Sequence, residues 1–126
     1  MNASRKLAET MTRRDLPPQV QLVWHGLNDE LNVQQFGASD IIWGECDIHW
    51  DPRRDQLVLH HDAISGTDTD RLLVLDDLLA RMRERGKAAK LDLKGGEELI
   101  ERTLALVARH GFADDQLWFN AYLHRL

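Results

Sequence analysis

The segment IIWGECDIHW at residues 41–50 decides the fold, because it combines an apolar, strand-like run with a closely spaced acidic pair. A proline-containing turn, DPRRD at 51–55, links it to a second apolar run, QLVLHH at 56–61. A parallel crossover takes about a dozen residues, and this link is too short to provide them. Two interpretations therefore stay open. The two runs form an antiparallel hairpin, or a connecting helix has been lost and the strands extend over other residues than these.

Strands and helices alternate on both sides of this segment. Strands are predicted at 19–25, 87–94 and 115–120, and helices at about 28–36, 72–85 and 97–110. Gly86 and Gly111 follow the last two helices as stop signals. The alternation is typical of an α/β domain with a parallel sheet. Residues 1–18 form a polar lead-in that Pro17 and Pro18 close, so the predicted domain covers 19–126.

The composition fits one globular domain: 126 residues, 43% hydrophobic, with a formal charge of −5. The acidic balance gives no basic footprint for nucleic acid. No apolar run approaches the roughly 20 residues of a membrane helix, and the first 15 residues lack the apolar core of a signal peptide, so we expect a cytoplasmic protein. Cys46 is the only cysteine, which excludes an internal disulfide and a zinc site built on several cysteines.

Charged and imidazole side chains fall late in four consecutive predicted strands. Side chains alternate along a strand, so Glu45 and Asp47 share one face and stand about 6–7 Å apart. The alternation also predicts that His61 shares a face with Leu57 and Leu59, and it leaves His49 and His60 as structural histidines on the opposite face or in a loop. The strand-end residues are His25 in the first strand, Glu45 and Asp47 in the second, His61 in the third, and Lys90, Asp92 and Lys94 in the fourth.

Such an arrangement predicts a metal site, because the carboxyl ends of parallel strands are where ligands and loops gather. Two carboxylates this close repel each other unless a cation or a proton lies between them. Asp92 offers a third oxygen ligand. An all-oxygen site favours Mg²⁺ or Ca²⁺ over softer metals.

Four short motifs in this order resemble the menorin family, which is related to the glycerophosphodiester phosphodiesterases and the phospholipase C-like phosphodiesterases. The motifs are Trp24-His25-Gly26, Glu45-Cys46-Asp47, His60-His61-Asp62 and Lys90-Leu91-Asp92-Leu93-Lys94. The resemblance spans roughly residues 20–122. It implies a (β/α)₈ barrel, of which this chain supplies the N-terminal half with four to five strands.

The resemblance also implies a role for each residue in cleaving a small or lipid-linked phosphodiester. His25 and His61 would be the two acid/base histidines, and Lys94 would contact a phosphate oxygen. Glu45, Asp47 and Asp92 would hold the cation. Lys90 and Asn120 would face the substrate.

A complete barrel takes about 250 residues, roughly twice the length of this chain. We therefore expect a fragment of a longer gene product, a homodimer or second chain that completes the barrel, or an open sheet covered on one face. In each case the site is at risk of being incomplete and inactive. The alternatives to a hydrolase are a non-catalytic binding or scaffold domain and a degenerate fragment without independent function.

Overall fold

Strands and helices alternate along residues 16–121, which are the residues that the computed structural model describes. The predicted lead-in lies mostly outside the described residues. The elements are β1 (Val23–Trp24), α1 (Glu30–Ala38), β2 (Trp43–Asp51), β3 (Gln56–Leu59), α2 (Leu75–Glu84), β4 (Ala88–Leu93), α3 (Glu97–His110) and β5 (Leu117–Asn120). Short 3₁₀ turns at Thr69–Arg71 and Asp114–Gln116 precede α2 and β5.

The five strands form one sheet in the order β1-β2-β4-β5, with β3 also paired to β2. All pairs are parallel except β2 with β3, which is antiparallel. The predicted α/β class with a mostly parallel sheet is therefore confirmed. The short link at 51–55 is the turn of a hairpin, which decides between the two interpretations that the sequence left open.

Strands β1 and β3 lie along the same edge of β2, one near each end. β1 pairs with Trp43 and Gly44, whereas β3 pairs with Ile48 through Asp51. The other edge of β2 is occupied by β4 from Trp43 through Ile48. The stretch of β2 around Glu45 and Asp47 thus lies in a gap between two partner strands, where the loop after β1 takes over the hydrogen bonding.

One face of the sheet is apolar and packs against the three helices. It includes Cys46 and Ile48 of β2 and Leu91 and Leu93 of β4, all of them at most 2% exposed. The helices contribute apolar side chains at helical spacing, so the core is a continuous cluster between sheet and helices. The buried side chains of the helices are Val33 and Phe36 of α1, Leu75, Leu78, Leu79 and Met82 of α2, and Leu99, Thr103, Leu106 and Val107 of α3.

Gly44 of β2 lies in tight contact with Leu27 and with Phe36 of α1. A Cβ atom on Gly44 would lie 2.4 Å from Leu27 Cδ1 and 2.8 Å from two ring carbons of Phe36. Phe36 and Leu27 are at most 1% exposed and have no room to move away. Close packing therefore requires glycine at position 44 of β2.

Two details differ from what the sequence predicts. Helical spacing places Leu104 on the inner side of α3 with Leu99, Ile100 and Val107, but Leu104 is 47% exposed. Thr103 occupies the buried position instead, because its hydroxyl donates to the Leu99 carbonyl oxygen at 2.8 Å and needs no other partner. The predicted first strand at 19–25 is reduced to Val23–Trp24.

Among residues 16–121, no helix has the length and apolar character needed to cross a bilayer.

Candidate metal centre

Three carboxylates meet on the face of the sheet opposite the helices. Asp47 of β2 and Asp92 of β4 are register partners. Glu45 lies two residues before Asp47 in β2 and therefore on the same face. One oxygen from each of Glu45, Asp47 and Asp92 lies within 4.8 Å of the others. Glu45 is 4% exposed and Asp47 is 2% exposed, although this face has no helix over it. The sequence prediction that these three side chains converge matches this geometry.

The loop after β1 covers Glu45 and Asp47. The backbone N–H groups of Gly26 and Leu27 both donate to the Glu45 carbonyl oxygen, at 3.1 and 2.7 Å. The Gly26 N–H also lies 2.9 Å from Glu45 Oε1. Gly26 adopts a φ of 84°, a conformation that favours glycine and turns the chain onto the acidic strand.

Asn28 continues this pairing with its side chain. Its Nδ2 donates to Asp47 Oδ2 at 3.0 Å, and its Oδ1 accepts from the Asp47 backbone N–H, also at 3.0 Å. Since a backbone N–H can only meet the amide oxygen, the orientation of the amide group is fixed. The sequence analysis missed Asn28, because nothing in the local pattern indicates a partner 19 residues away.

Lys94 places a positive charge among the carboxylates. Its Nζ lies 3.1 Å from Asp92 Oδ2 and 3.5 Å from Asp47 Oδ1. Partial burial disfavours the charged amine, but the hydrogen bond to Asp92 and the charges of Asp92 and Asp47 outweigh it, so the pKa of Lys94 is raised. The amine is therefore a firmly protonated counter-ion.

Burial raises the pKa of the Glu45 carboxyl, and the neighbouring charge of Asp47 adds to the rise against the opposing hydrogen bond from Gly26. The Lys94 ammonium contacts two of the three carboxylates, Asp47 and Asp92, so negative charge is in excess. This donor set fits a small divalent cation, because hard cations prefer carboxylate oxygens and supply the missing positive charge. The residues that would hold such a cation are Glu45, Asp47 and Asp92.

The two predicted acid/base histidines differ in position. His25 directly follows β1, and its Nε2 lies 3.7 Å from Glu45 Oε1 with the side chain 78% exposed. His61 lies two residues past the end of β3, and its Nδ1 is 3.0 Å from Asp62 Oδ1. Within residues 16–121 the structure records no contact between His61 and the three carboxylates. The structure thus brings His25 to the cluster and does not bring His61 there.

Strand alternation does not bring His61 to the carboxylates. Leu59 is the register partner of Ile48, so Leu57 and Leu59 face the helices rather than the carboxylates. β3 ends at Leu59, and the chain beyond it no longer follows the alternation. His49 was predicted as a structural residue on the opposite face or in a loop, but two positions after Asp47 in β2 it shares the acidic face. Burial lowers the pKa of His49.

The two predicted substrate-binding residues belong to the same face of the sheet. Lys90 is the register partner of Glu45, and its Nζ lies 5.2 Å from the centre of the exposed Trp118 ring. Asn120 is the register partner of Asp92 and is exposed. Lys90 therefore lies between Glu45 and Trp118 across the sheet, and Asn120 lies beside Asp92 on β5.

Two clefts lie elsewhere on the described part of the chain. One, of about 220 Å³, lies between α1 and α2. The other, of about 550 Å³, lies between α3 and the β2–β3 hairpin, where the Arg102 guanidinium stacks on Trp50 at 3.7 Å. Neither of these two clefts is lined by the three carboxylates.

Comparison with protein-family models, with curated proteins and with solved structures gave no match to this chain.

Proposed function

We propose that this chain is a phosphodiesterase-like domain of the menorin type, which uses a divalent cation, Mg²⁺ or Ca²⁺, to cleave a small or lipid-linked phosphodiester. The observation that carries the proposal is the meeting of Glu45, Asp47 and Asp92 beside Lys94. Asp92 lies one residue before the carboxyl end of β4, with Asp47 beside it in the part of β2 that pairs in parallel with β4, and the carboxyl ends of parallel strands are the usual position of chemistry in such sheets. No basic face or nucleic-acid motif points to a different anionic substrate.

The residues around the cluster supply the remaining functions of such a reaction. A bound cation would neutralise charge that develops on the phosphate oxygens. Lys94 would hold a further phosphate oxygen when it turns away from Asp92. His25, exposed beside Glu45, is placed to accept or deliver a proton at the open face, as a histidine does near neutral pH. His61 would take the second proton-transfer role only in a conformation that brings its ring to the cluster.

The proposed architecture is the N-terminal half of a (β/α)₈ barrel. In a barrel the acidic face would be the interior, which explains why charged residues lie on the face without helices. In residues 16–121 β5 has a partner strand on one side only, at β4. We propose that further strands, from a second copy or from another chain, extend the sheet at this edge.

A non-catalytic binding domain is the second candidate, and the contacts of Lys94 and His61 favour it. Lys94 already compensates Asp47 and Asp92 without a cation, and the ring of His61 is bonded to Asp62. In that case the acidic cluster is a structural polar network.

Hydrolysis of bis(4-nitrophenyl) phosphate in the presence of Mg²⁺ tests the proposal. We expect the wild-type chain to release nitrophenolate and the His25→Asn variant to lose about 100-fold or more of the rate, the range typical of a lost acid/base residue. Asp92→Asn, which removes a proposed cation ligand, should abolish the dependence of the rate on Mg²⁺. Glu98→Gln, an exposed change on α3, is the control and should retain the rate. An inactive wild-type chain, or variants that match it, would favour the binding domain.

A further inference from the structure

The cleft between α3 and the β2–β3 hairpin has the size and the apolar floor of a small-molecule site. Its volume is about 550 Å³, and ligand pockets typically measure roughly 300–1,000 Å³. Leu57 and Leu106 form its floor and are only 6% and 5% exposed. Trp50, the register partner of Leu57, stands at its wall on the helix-covered face of the sheet. The cleft therefore lies on the opposite side of the sheet from the proposed cation site.

The side chain of Arg102 joins the two walls of the cleft. Its guanidinium carbon lies 3.7 Å from the centre of the Trp50 ring, and its Nη1 lies 3.6 Å from Asp55 Oδ1 in the hairpin turn. On α3 itself, its Nε and Nη2 donate to Glu98 Oε1 at 3.0 and 2.8 Å. Since one side chain connects helix and hairpin, the cleft is formed before a ligand binds, as is usual for small-molecule sites.

One face of the Arg102 guanidinium is left open. The N–H groups of a guanidinium lie in its plane, so the contacts with Glu98 and Asp55 use its edges and leave both faces free for stacking. Trp50 covers one face, and the Arg102 side chain is still 42% exposed. The second face is therefore a flat surface on which a planar group stacks.

Arg109 carries the uncompensated charge of the cleft. Within residues 16–121 its side chain makes no hydrogen bond or ion pair. A carboxylate partner on the same helix would stand three or four residues away, but the two preceding positions of this kind carry an alanine and a leucine. The other charged side chains that line the cleft already have partners, Arg102 in Asp55 and Asp76 in His110. The cleft therefore offers one free cation to a ligand.

We propose that this cleft binds a small planar carboxylate, whose ring stacks on Arg102 and whose carboxylate pairs with Arg109. The two arginines stand about two turns apart on α3, roughly 10 Å along its axis, a distance that a flat ring system with a carboxylate spans. Ala105 lies between them and leaves room for the ring. A guanidinium binds a carboxylate through two parallel hydrogen bonds, which selects this group over a neutral one.

A two-dimensional proton–nitrogen NMR titration of the full chain with sodium naphthalene-2-carboxylate tests the proposal. We expect saturable shifts of the Trp50 indole N–H and of the backbone amides at 102–109. Sodium acetate carries the charge without the ring, and 2-naphthalenemethanol carries the ring without the charge. Each should bind at least about tenfold more weakly, because stacking and charge-assisted hydrogen bonds both contribute to the affinity.

Variants on α3 separate the charge of Arg109 from the shape of the cleft. Arg109→Gln should weaken binding of the carboxylate about tenfold and leave binding of the alcohol unchanged. Ala105→Glu supplies a carboxylate four residues before Arg109 and should weaken binding more than Ala105→Gln, which has the same size without the charge. Arg71→Gln is the control, because the Arg71 side chain is 87% exposed and lies outside the cleft.

Three results would overturn the proposal. The first is a wild-type chain that shows no saturable shifts with naphthalene-2-carboxylate. The second is equal affinity for the carboxylate and the alcohol, or wild-type affinity in Arg109→Gln, because the charge would then contribute nothing. The third is a set of shifts centred outside the cleft. None of these results bears on the proposed cation site, which lies on the other face of the sheet.

Discussion

Asp47 and Asp92 are register partners on neighbouring parallel strands, and the ammonium of Lys94 lies within 3.5 Å of both carboxylates. Two like charges side by side in a sheet destabilise it unless a counter-charge is present. Lys94 supplies this counter-charge in the chain alone. Lys94 directly follows β4, two residues after Asp92, so the counter-charge comes from the same segment as one of the carboxylates.

Lys94→Met should reduce the stability of the cation-free chain and increase its response to Mg²⁺. The free energy of unfolding should fall by about 1–2 kcal/mol, less than for a fully buried pair because the Lys94 side chain is 24% exposed. Urea unfolding with and without MgCl₂ measures both effects. Lys90→Met, on the same strand face but stacked against Trp118, is the control and should not increase the Mg²⁺ response. A Lys94→Met chain with wild-type stability and wild-type response contradicts the counter-ion role.

Mg²⁺ should stabilise the folded chain through the three carboxylates. At about one hundred times its dissociation constant the cation should add about 2.7 kcal/mol, or roughly 10 °C in the melting temperature of a domain of this size. Asp92→Asn should remove most of this gain, whereas Asp62→Asn, an exposed carboxylate outside the cluster, should retain it. Thermal unfolding monitored by circular dichroism measures the shift, and an equal gain in both variants would show that the cation binds elsewhere.

Gly44→Ala should destabilise the fold by about 1–3 kcal/mol, the usual cost of overpacking a tight core. The new methyl group would overlap Leu27 and Phe36, both buried between α1 and the sheet. Gly37→Ala is the matched control, because a Cβ there meets nothing within 4 Å and alanine favours a helix over glycine. Denaturant unfolding distinguishes the two variants. The packing argument fails if Gly44→Ala is as stable as Gly37→Ala.

The ion pair between Glu30 of α1 and Arg81 of α2 should make a pH-dependent contribution to the free energy of unfolding. Two hydrogen bonds of 2.9 and 2.7 Å from Arg81 hold the pKa of Glu30 below its usual 4.5. A lowered carboxyl pKa stabilises the fold above the unfolded-state value, and this contribution is lost as the pH falls through the folded-state value.

Glu30→Gln should therefore cost about 0.5 kcal/mol near neutral pH, a small value because both side chains are substantially exposed, and nothing at about pH 3. Unfolding free energies at the two pH values measure the difference. Glu84→Gln on α2 is the control and should show no comparable change. A cost that persists in acid would exclude the ion pair as its source.

The sequence was sufficient to predict that Glu45 and Asp47 share a face, because alternation within one regular strand is a local property. Asp92 joins them through the register of β4 against β2, which the general rule that strand ends of a parallel sheet lie together anticipated. The five-residue link at 51–55 likewise restricted β2 and β3 to a hairpin or to an irregular extension, and the structure selects the hairpin.

The remaining features depend on contacts that no local pattern contains. Asn28 meets Asp47 only because β1 stops pairing with β2 after Gly44, where β3 has not yet begun. His61 lies beyond the end of β3, where alternation no longer determines the direction of a side chain.

Anomalous diffraction from crystals soaked in MnCl₂ tests the central claim most directly, because Mn²⁺ replaces Mg²⁺ at oxygen sites and is identified by its own absorption edge. The account predicts one strong peak within about 2.5 Å of one oxygen each from Glu45, Asp47 and Asp92, with Asn28 still bonded to Asp47. A map without a peak at these carboxylates, with Lys94 still bridging Asp47 and Asp92, would contradict it.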